Sequence, residues 1–344
     1  MHWRMYGYGG DMAQAIPFFR SRRIEAVTAH YEKKAAELAN ANGISFYAVT
    51  VAMEAEGPDD LCVSAGGQTV EAPCPNARGL LERNCRRIKE LATAEFVKGI
   101  TLDYCRYPSP ASPLSPSGMT VCFCSACCEK MKKEGLDVEA LRRAVAKWPA
   151  WEEADLPLLR AFFKFRAKSV AYFVATLRDA VKEVDSNKEF GAYVFAPSLS
   201  PLVGQSYGML ASCVDFLSPM LYRHYPHPAG EACLDHELGA LRRGMDSVLA
   251  PQKQKSARVL AALTGIDDLP AAEELKQKGV SIQMLWKELT QARQKVGETR
   301  LFPIVLFEDP RFLEISDAAR IFGADGLDIF LFNRECFDRL DTFH

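Results

Sequence analysis

Short apolar runs alternate with segments of helical periodicity along most of this 344-residue chain. Between the runs, apolar residues recur with a period near 3.6, which is typical of amphipathic helices. The helices are predicted at Glu25 to about Asn40, Asn76–Ala94, Asp155 to about Val184, Pro270–Gly279 and Val280–Val296. The apolar runs predict seven strands, namely Ser45–Met53, Gly99–Asp103, Glu189–Phe195, Val214–Tyr222, Arg258–Leu263, Leu301–Phe307 and Gly326–Phe332.

This alternation indicates a parallel sheet covered by helices, and the predicted fold is an α/β (β/α)8 barrel, the TIM-barrel fold. Such a barrel needs eight strands, and His2–Tyr8 is the only candidate for the missing first one. The first strand is therefore expected to be incomplete or divergent. A doubly wound open sheet is the alternative, although no glycine-rich phosphate loop follows any strand. We find no internal repeat, and we expect residues 1–344 to form one barrel domain with a cysteine-rich loop at about 105–135.

Composition and charge narrow the class of protein further. The formal net charge is −2, so nothing draws the chain to nucleic acid or to an anionic membrane. No apolar run approaches the roughly 20 residues that span a bilayer, and no signal peptide is evident. Four of the eleven cysteines crowd into 122–128, which fits a reducing compartment and a metal better than a disulfide scaffold. We expect a cytoplasmic protein, although a shortened form of a secreted precursor is also compatible.

The run at 99–103 ends in an acid, Asp103, followed at once by aromatic and basic residues. In a barrel the carboxyl ends of the strands converge on one face, so the polar residues after each run collect into one site. That set is rich in carboxylates and aromatic rings and poor in histidine, which suits a sugar substrate better than a catalytic metal. The alternative to a functional role is that Asp103 forms a structural salt bridge with Arg106. The other members are Glu54, Glu56, Tyr104, Tyr222, Arg223, His224, Thr264, Asp267, Glu308, Asp309, Asn333 and Arg334.

Three thiols, Cys122, Cys124 and Cys127, lie within six residues and form a compact set of soft ligands. Zinc prefers four ligands in a tetrahedron, so the fourth must come from elsewhere. Cys74, in a proline-flanked turn, is the candidate that we favour, while Cys85 and Cys105 remain alternatives. A site of four thiolates would be closed and therefore structural. The competing interpretation is that these are reduced thiols packed in a loop.

Several short motifs, in order from about residue 74 to 333, resemble a family of glycoside-hydrolase-like TIM-barrel proteins. The run GITLDYCRYP at 99–108 is similar to the family's signature DGI-x-LDY-x-RYP, and VDFLSPMLYRHY at 214–225 resembles its D-x-(I/V)-x-PM-x-Y strand. CFCSACCEKMKKEGLD at 122–137, CPN at 74–76 and GADGLDIFLFN at 323–333 resemble further elements. A similar cysteine set with one upstream cysteine binds a structural zinc in family-42 β-galactosidases. The resemblance implies a hydrolase-like barrel and a structural zinc held by Cys74, Cys122, Cys124 and Cys127.

Residues and resemblance together predict a glycoside hydrolase that acts on a carbohydrate through a carboxylate pair at the barrel mouth. Asp103 is the predicted central acid and Glu308 its best candidate partner. The predicted substrate contacts are Tyr104, Arg106, Tyr222, His224 and Asn333. A barrel that kept the sugar-binding shape but lost catalysis, with a structural zinc, is the alternative. The discriminating feature is a second carboxylate facing Asp103, at roughly 5–5.5 Å for a retaining mechanism or roughly 6.5–9.5 Å for an inverting one.

Overall fold

A computed structural model describes residues 2–7, 10–112, 117–223 and 233–330. The parallel strands form a closed barrel with eight strand positions, since the last strand pairs with the first. The predicted (β/α)8 barrel is therefore confirmed. Around the barrel the order is β1, β2, β3, β6, β7, β8, β10 and β11. The strands are β1 (His2–Tyr6), β2 (Ile24–Ala29), β3 (Ser45–Val51), β4 (Leu61–Val63), β5 (Thr69–Pro73), β6 (Val97–Asp103), β7 (Glu189–Phe195), β8 (Phe216–Met220), β9 (Arg300–Leu301), β10 (Ile304–Leu306) and β11 (Gly326–Phe330).

Twelve α-helices lie in the described parts of the chain. Most connect successive barrel strands and bury an apolar face against the sheet, as the parallel arrangement requires. Their bounds are α1 (Met12–Ser21), α2 (Lys33–Ala41), α3 (Arg78–Ala92), α4 (Ser125–Lys133), α5 (Val138–Ala146), α6 (Leu156–Val184), α7 (Tyr207–Ala211), α8 (Leu234–Asp246), α9 (Ala250–Thr264), α10 (Ala272–Lys278), α11 (Ile282–Val296) and α12 (Phe312–Ile321). None of them is both long enough and apolar enough to cross a bilayer.

Two of the predicted elements are wrong. The predicted helix from Glu25 is strand β2 up to Ala29, because Ile24, Val27 and Thr28 are β-branched and pack inside the sheet. The predicted strand Arg258–Leu263 belongs to helix α9, in which three alanines at 257, 261 and 262 favour the helix.

The second error also displaces two residues from the predicted mouth of the barrel. Thr264 is the last residue of helix α9, where its hydroxyl donates to the carbonyl of Leu260. Asp267 follows that helix and lies 3.5 Å from the ammonium group of Lys287. These two side chains therefore belong to a helix end and to an exposed ion pair rather than to a strand end.

The seventh barrel position is a strand in two pieces. Strand β9 pairs with β8 through Leu301, and β10 pairs with β11 and touches β8 at Met220. Pro303 lies between the two pieces and lacks an N–H group, so the ladder of hydrogen bonds is interrupted there. Glu308 follows β10 within a turn at the C-terminal edge of this strand.

Two insertions rise above the C-terminal face of the barrel. The hairpin of β4 and β5 is inserted between β3 and helix α3, and the long connection after β6 carries helices α4 and α5. They are joined by a hydrogen bond of 2.8 Å from the N–H of Phe123 to the carbonyl of Val63. This contact brings the upstream cysteine, Cys74, to the cysteine-rich loop.

Candidate active site and metal centre

Asp103 lies where strand β6 meets the barrel mouth. Its Oδ1 accepts a hydrogen bond of 2.8 Å from the N–H of Tyr104, a residue with a left-handed φ of 53°. Burial raises the pKa of Asp103 above its ordinary value, although the N–H of Tyr104 and the charges of Arg106 and His30 each lower it. Asp103 therefore keeps its proton to a higher pH than an ordinary aspartate, as a general acid requires.

A cavity of about 540 Å³ opens beside Asp103 at the carboxyl ends of the strands. Four aromatic rings line it, and the ring of Tyr6 packs edge-on against those of Tyr193 and Phe330, each with its centroid 4.7 Å away. Tyr31 is the fourth. Among the described residues, the lining also includes one imidazole, that of His30, and the carboxyl groups of Glu32 and Asp103. Its size and its mixture of rings and carboxylates suit a small, uncharged polar ligand such as a sugar ring.

The predicted substrate-binding residues occupy different depths around Asp103. Tyr104 is half exposed, and the guanidinium of Arg106 lies between its ring, at 5.1 Å, and that of Phe195, at 4.5 Å. Tyr222 is buried, its ring packs edge-on against that of Phe330 at 5.4 Å, and its O–H donates to the sulfur of Met220. The predictions for His224 and Asn333 lie outside the described residues.

The other predicted carboxylates fall into two groups. Glu54 and Glu56 form ion pairs with Arg87 and Arg83 on helix α3, at 2.7 and 3.0 Å. Glu308 is half-buried in the turn after β10 and does not belong to the lining of the cavity beside Asp103. Its neighbour Asp309 is buried in a bidentate ion pair with Arg223, which also donates to the carbonyl of Val280.

Sequence reasoning missed His30, Tyr31 and Glu32, which follow strand β2. The helix predicted from Glu25 to about Asn40 includes all three residues. A signal was present, because Ile24–Ala29 carries β-branched residues and the helical pattern resumes only at Lys33. Dividing that segment in two would have placed these three side chains at a strand end.

The four predicted metal ligands meet in one place. The sulfurs of Cys74, Cys122, Cys124 and Cys127 all lie within 4.8 Å of one another. The sulfur of Cys74 lies 3.7 Å from that of Cys124 and 3.4 Å from that of Cys127. A tetrahedron with metal–sulfur bonds of about 2.3 Å has edges of about 3.8 Å, so the group could hold a metal ion.

Hydrogen bonds to three of these sulfurs also support a metal-binding role for the four cysteines. The N–H groups of Val63 and Cys124 each point at the sulfur of Cys122 at 3.4 Å. Asn76 donates through its side chain to Cys127 at 3.2 Å and through its backbone to Cys74 at 3.4 Å. Donors of this kind stabilise thiolates, the form in which cysteine binds a metal.

Cys128 and Cys105, outside this group, have other partners. Cys128 donates to the carbonyl of Phe123, and Cys105 is buried against the carbonyl of Tyr193. Burial raises the pKa of Cys105 to about 12 and that of Cys85 above its ordinary value. Neither alternative ligand, Cys85 or Cys105, belongs to the group of sulfurs that lie within 4.8 Å of one another.

The similarity of this chain to known proteins lies in its fold. No protein-family model matches the chain, and no curated protein matches it in sequence. Among solved structures, a polyextremophilic β-galactosidase from the Antarctic haloarchaeon Halorubrum lacusprofundi superposes with a TM-score of 0.60 at 14% identity, over 98% of this chain and 53% of that one. This chain thus spans about half the length of that enzyme.

Two catalytic domains of nearly the same length have the same fold. The PgaB (BpsB) glycoside hydrolase domain from Bordetella bronchiseptica gives a TM-score of 0.56 at 14% identity, covering 98% of this chain and 95% of that one. The catalytic domain of β-amylase from Paenibacillus polymyxa gives 0.53 at 12% identity, with 95% and 91% covered. The structural neighbours are glycoside-hydrolase TIM barrels, and the predicted similarity in fold is confirmed.

Proposed function

We propose that this protein is a glycoside hydrolase with Asp103 as its general acid. The observation that carries the proposal is the position of Asp103, a carboxyl of raised pKa at a strand end, on the wall of a cavity lined by aromatic rings. A protonated carboxyl there can donate to a leaving glycosidic oxygen, and the rings can stack on the apolar face of a sugar. The hydrolase folds of the structural neighbours support the same class of reaction.

Hydrolysis needs a second carboxylate that stays ionised. Glu308, the partner predicted from the sequence, follows the seventh barrel position and remains one candidate. Tyr104 and Arg106 are proposed to contact substrate at the outer edge of the site, because Tyr104 is half exposed and Arg106 stacks on its ring. Tyr222 is buried, with its ring packed against that of Phe330.

We further propose that the four cysteines bind one structural zinc ion. Four sulfurs at tetrahedral spacing leave no position for a substrate, so the ion would hold the loop after β6 against the β4–β5 hairpin. Since that loop begins just after Asp103, the metal would order one side of the active site.

The proposed activity is tested by screening the protein against a panel of oligosaccharides and aryl glycosides, followed by Asp103→Asn on any substrate that is cleaved. Asn keeps the shape of the side chain and removes the proton donor, so turnover should fall by about 10²–10⁴-fold. Full activity of Asp103→Asn would reject the assignment. Sugar binding without cleavage by the wild type would favour a binding barrel instead.

A further inference from the structure

Resting on the proposed hydrolase function, we infer that Glu32 is the second carboxylate of the active site. Glu32 lies just after strand β2, at the N-terminus of helix α2, and lines the same cavity as Asp103. Among the described residues of that lining, Asp103 and Glu32 are the two that carry a carboxyl group. They come from strand ends two positions apart in the barrel, with the end of β3 between them.

The side chain of Glu32 is not used to hold the fold. It is exposed, it makes no capping hydrogen bond to helix α2, and no ion pair joins it to another described residue. By contrast, arginines on helix α3 pair with Glu54 and Glu56. A carboxylate left open to a cavity is available to a ligand in that cavity.

Asp103 and Glu32 lie in different environments, as the general acid and its partner carboxylate require. Burial raises the pKa of Asp103, which favours its protonated form, whereas the side chain of Glu32 is exposed to solvent. Such a difference in environment lets one carboxyl group act as the proton donor and the other as the base or nucleophile. Asp103 then donates and Glu32 accepts.

The reaction balances with these two groups and one water molecule. The proton of Asp103 passes to the glycosidic oxygen, which leaves with the electron pair of its bond to the anomeric carbon. The oxygen of water forms the new bond to that carbon. Its proton goes to Glu32 when water attacks directly; otherwise Glu32 first forms a glycosyl ester, and Asp103 takes the proton from the water that cleaves the ester.

The experiment compares three glutamine variants on the substrate that the wild type cleaves best. Glu32→Gln should lower kcat by about 10²–10⁴-fold with an unchanged unfolding midpoint. Glu37→Gln, an exposed glutamate on the same helix outside the cavity, is the matched control and should keep full activity. Glu308→Gln tests the partner predicted from the sequence. Sodium azide added to Glu32→Ala should restore turnover and yield a glycosyl azide, which a merely structural role would not produce.

The outcomes separate the two proposals. An inactive Asp103→Asn with a fully active Glu32→Gln would leave the hydrolase function standing and overturn the role of Glu32. Loss of activity in Glu308→Gln but not in Glu32→Gln would transfer the role to Glu308. A wild type that neither cleaves nor binds any sugar of the panel would overturn both proposals.

Discussion

Nε of Arg4 lies 2.9 Å from Oδ1 of Asp328, and the two residues are register partners on the first and last strands of the barrel. Both are buried, and Oδ2 of Asp328 accepts a hydrogen bond of 2.6 Å from Ser218. The guanidinium of Arg4 lies 4.3–4.6 Å from the centroids of three aromatic rings, those of Tyr47, Phe216 and Phe302. The pair therefore sits at the junction that closes the barrel.

Removing one charge of this pair should be costly. Asp328→Asn leaves the cation of Arg4 buried without its counter-charge, and the free energy of unfolding should fall by about 3–5 kcal/mol. Unfolding in urea measures this decrease in the free energy of unfolding. Asp317→Asn is the control, because Asp317 pairs with Arg320 at 3.2 Å on an exposed surface, where a loss of about 0–1 kcal/mol is expected.

The pair itself need not add net stability. Burial raises the pKa of Asp328 even with Arg4 beside it, so desolvation outweighs the attraction. The double variant Arg4→Met/Asp328→Leu should consequently lose less stability than Asp328→Asn alone. An equal or larger loss in the double variant would contradict this explanation.

Metal content should depend on four cysteines and not on their neighbour. The purified protein should carry about one zinc per chain by elemental analysis, and Cys127→Ser should lose it. Because a closed zinc site contributes to folding, we expect the Tm of that variant to fall by more than about 3 °C, which corresponds to roughly 2 kcal/mol for a chain of this length. Cys128→Ser, adjacent but outside the group, should keep both metal and Tm. Well under one zinc per wild-type chain would contradict the proposal.

The parts of the fold that were predictable are those with a strong local pattern. The long helix α6 and strand β6 carry unbroken periodicity or an unbroken apolar run, and both were found within a few residues. Strand β2 was missed because it is only six residues long and runs into a helix after three more. The segment at Arg258–Leu263 has an apolar run that either element can bury, and only its alanines favour the helix.

The residues of the candidate site also differ in how far a local sequence pattern predicts them. Asp103 could be found because it ends a recognisable strand, and the group of three cysteines was visible from spacing alone. Glu32 was missed, since its position depends on strand β2, and the predicted helix from Glu25 covers that strand. Cys74 was predicted from its proline-flanked turn and from the family resemblance. Its contact with Cys127, 53 residues away, depends on a hairpin packing on a loop, which spacing alone does not encode.

Asp103 should lower the stability of the fold at neutral pH. Its folded-state pKa is raised above the unfolded value, so its unfavourable contribution is absent below the unfolded pKa and grows as the pH rises through the window between the two. Asp103→Asn should therefore unfold at a higher temperature than the wild type at pH 7, with the gain vanishing toward pH 3. Thermal unfolding at the two pH values checks this. A gain of the same size at both would point to packing rather than to charge.

The pH dependence of activity should move with the charge of Arg106. If Asp103 must be protonated, kcat/KM falls on the alkaline side as Asp103 loses its proton. The guanidinium of Arg106 lowers the pKa of Asp103, and Arg106→Gln removes that charge. The pKa of Asp103 should then rise, and the alkaline limb of the profile should shift to higher pH even where the maximal rate falls through weaker substrate binding. Arg143→Gln, which removes an exposed arginine on helix α5, should leave the limb in place. A limb that stays fixed in Arg106→Gln, or moves to lower pH, would show that another group controls it.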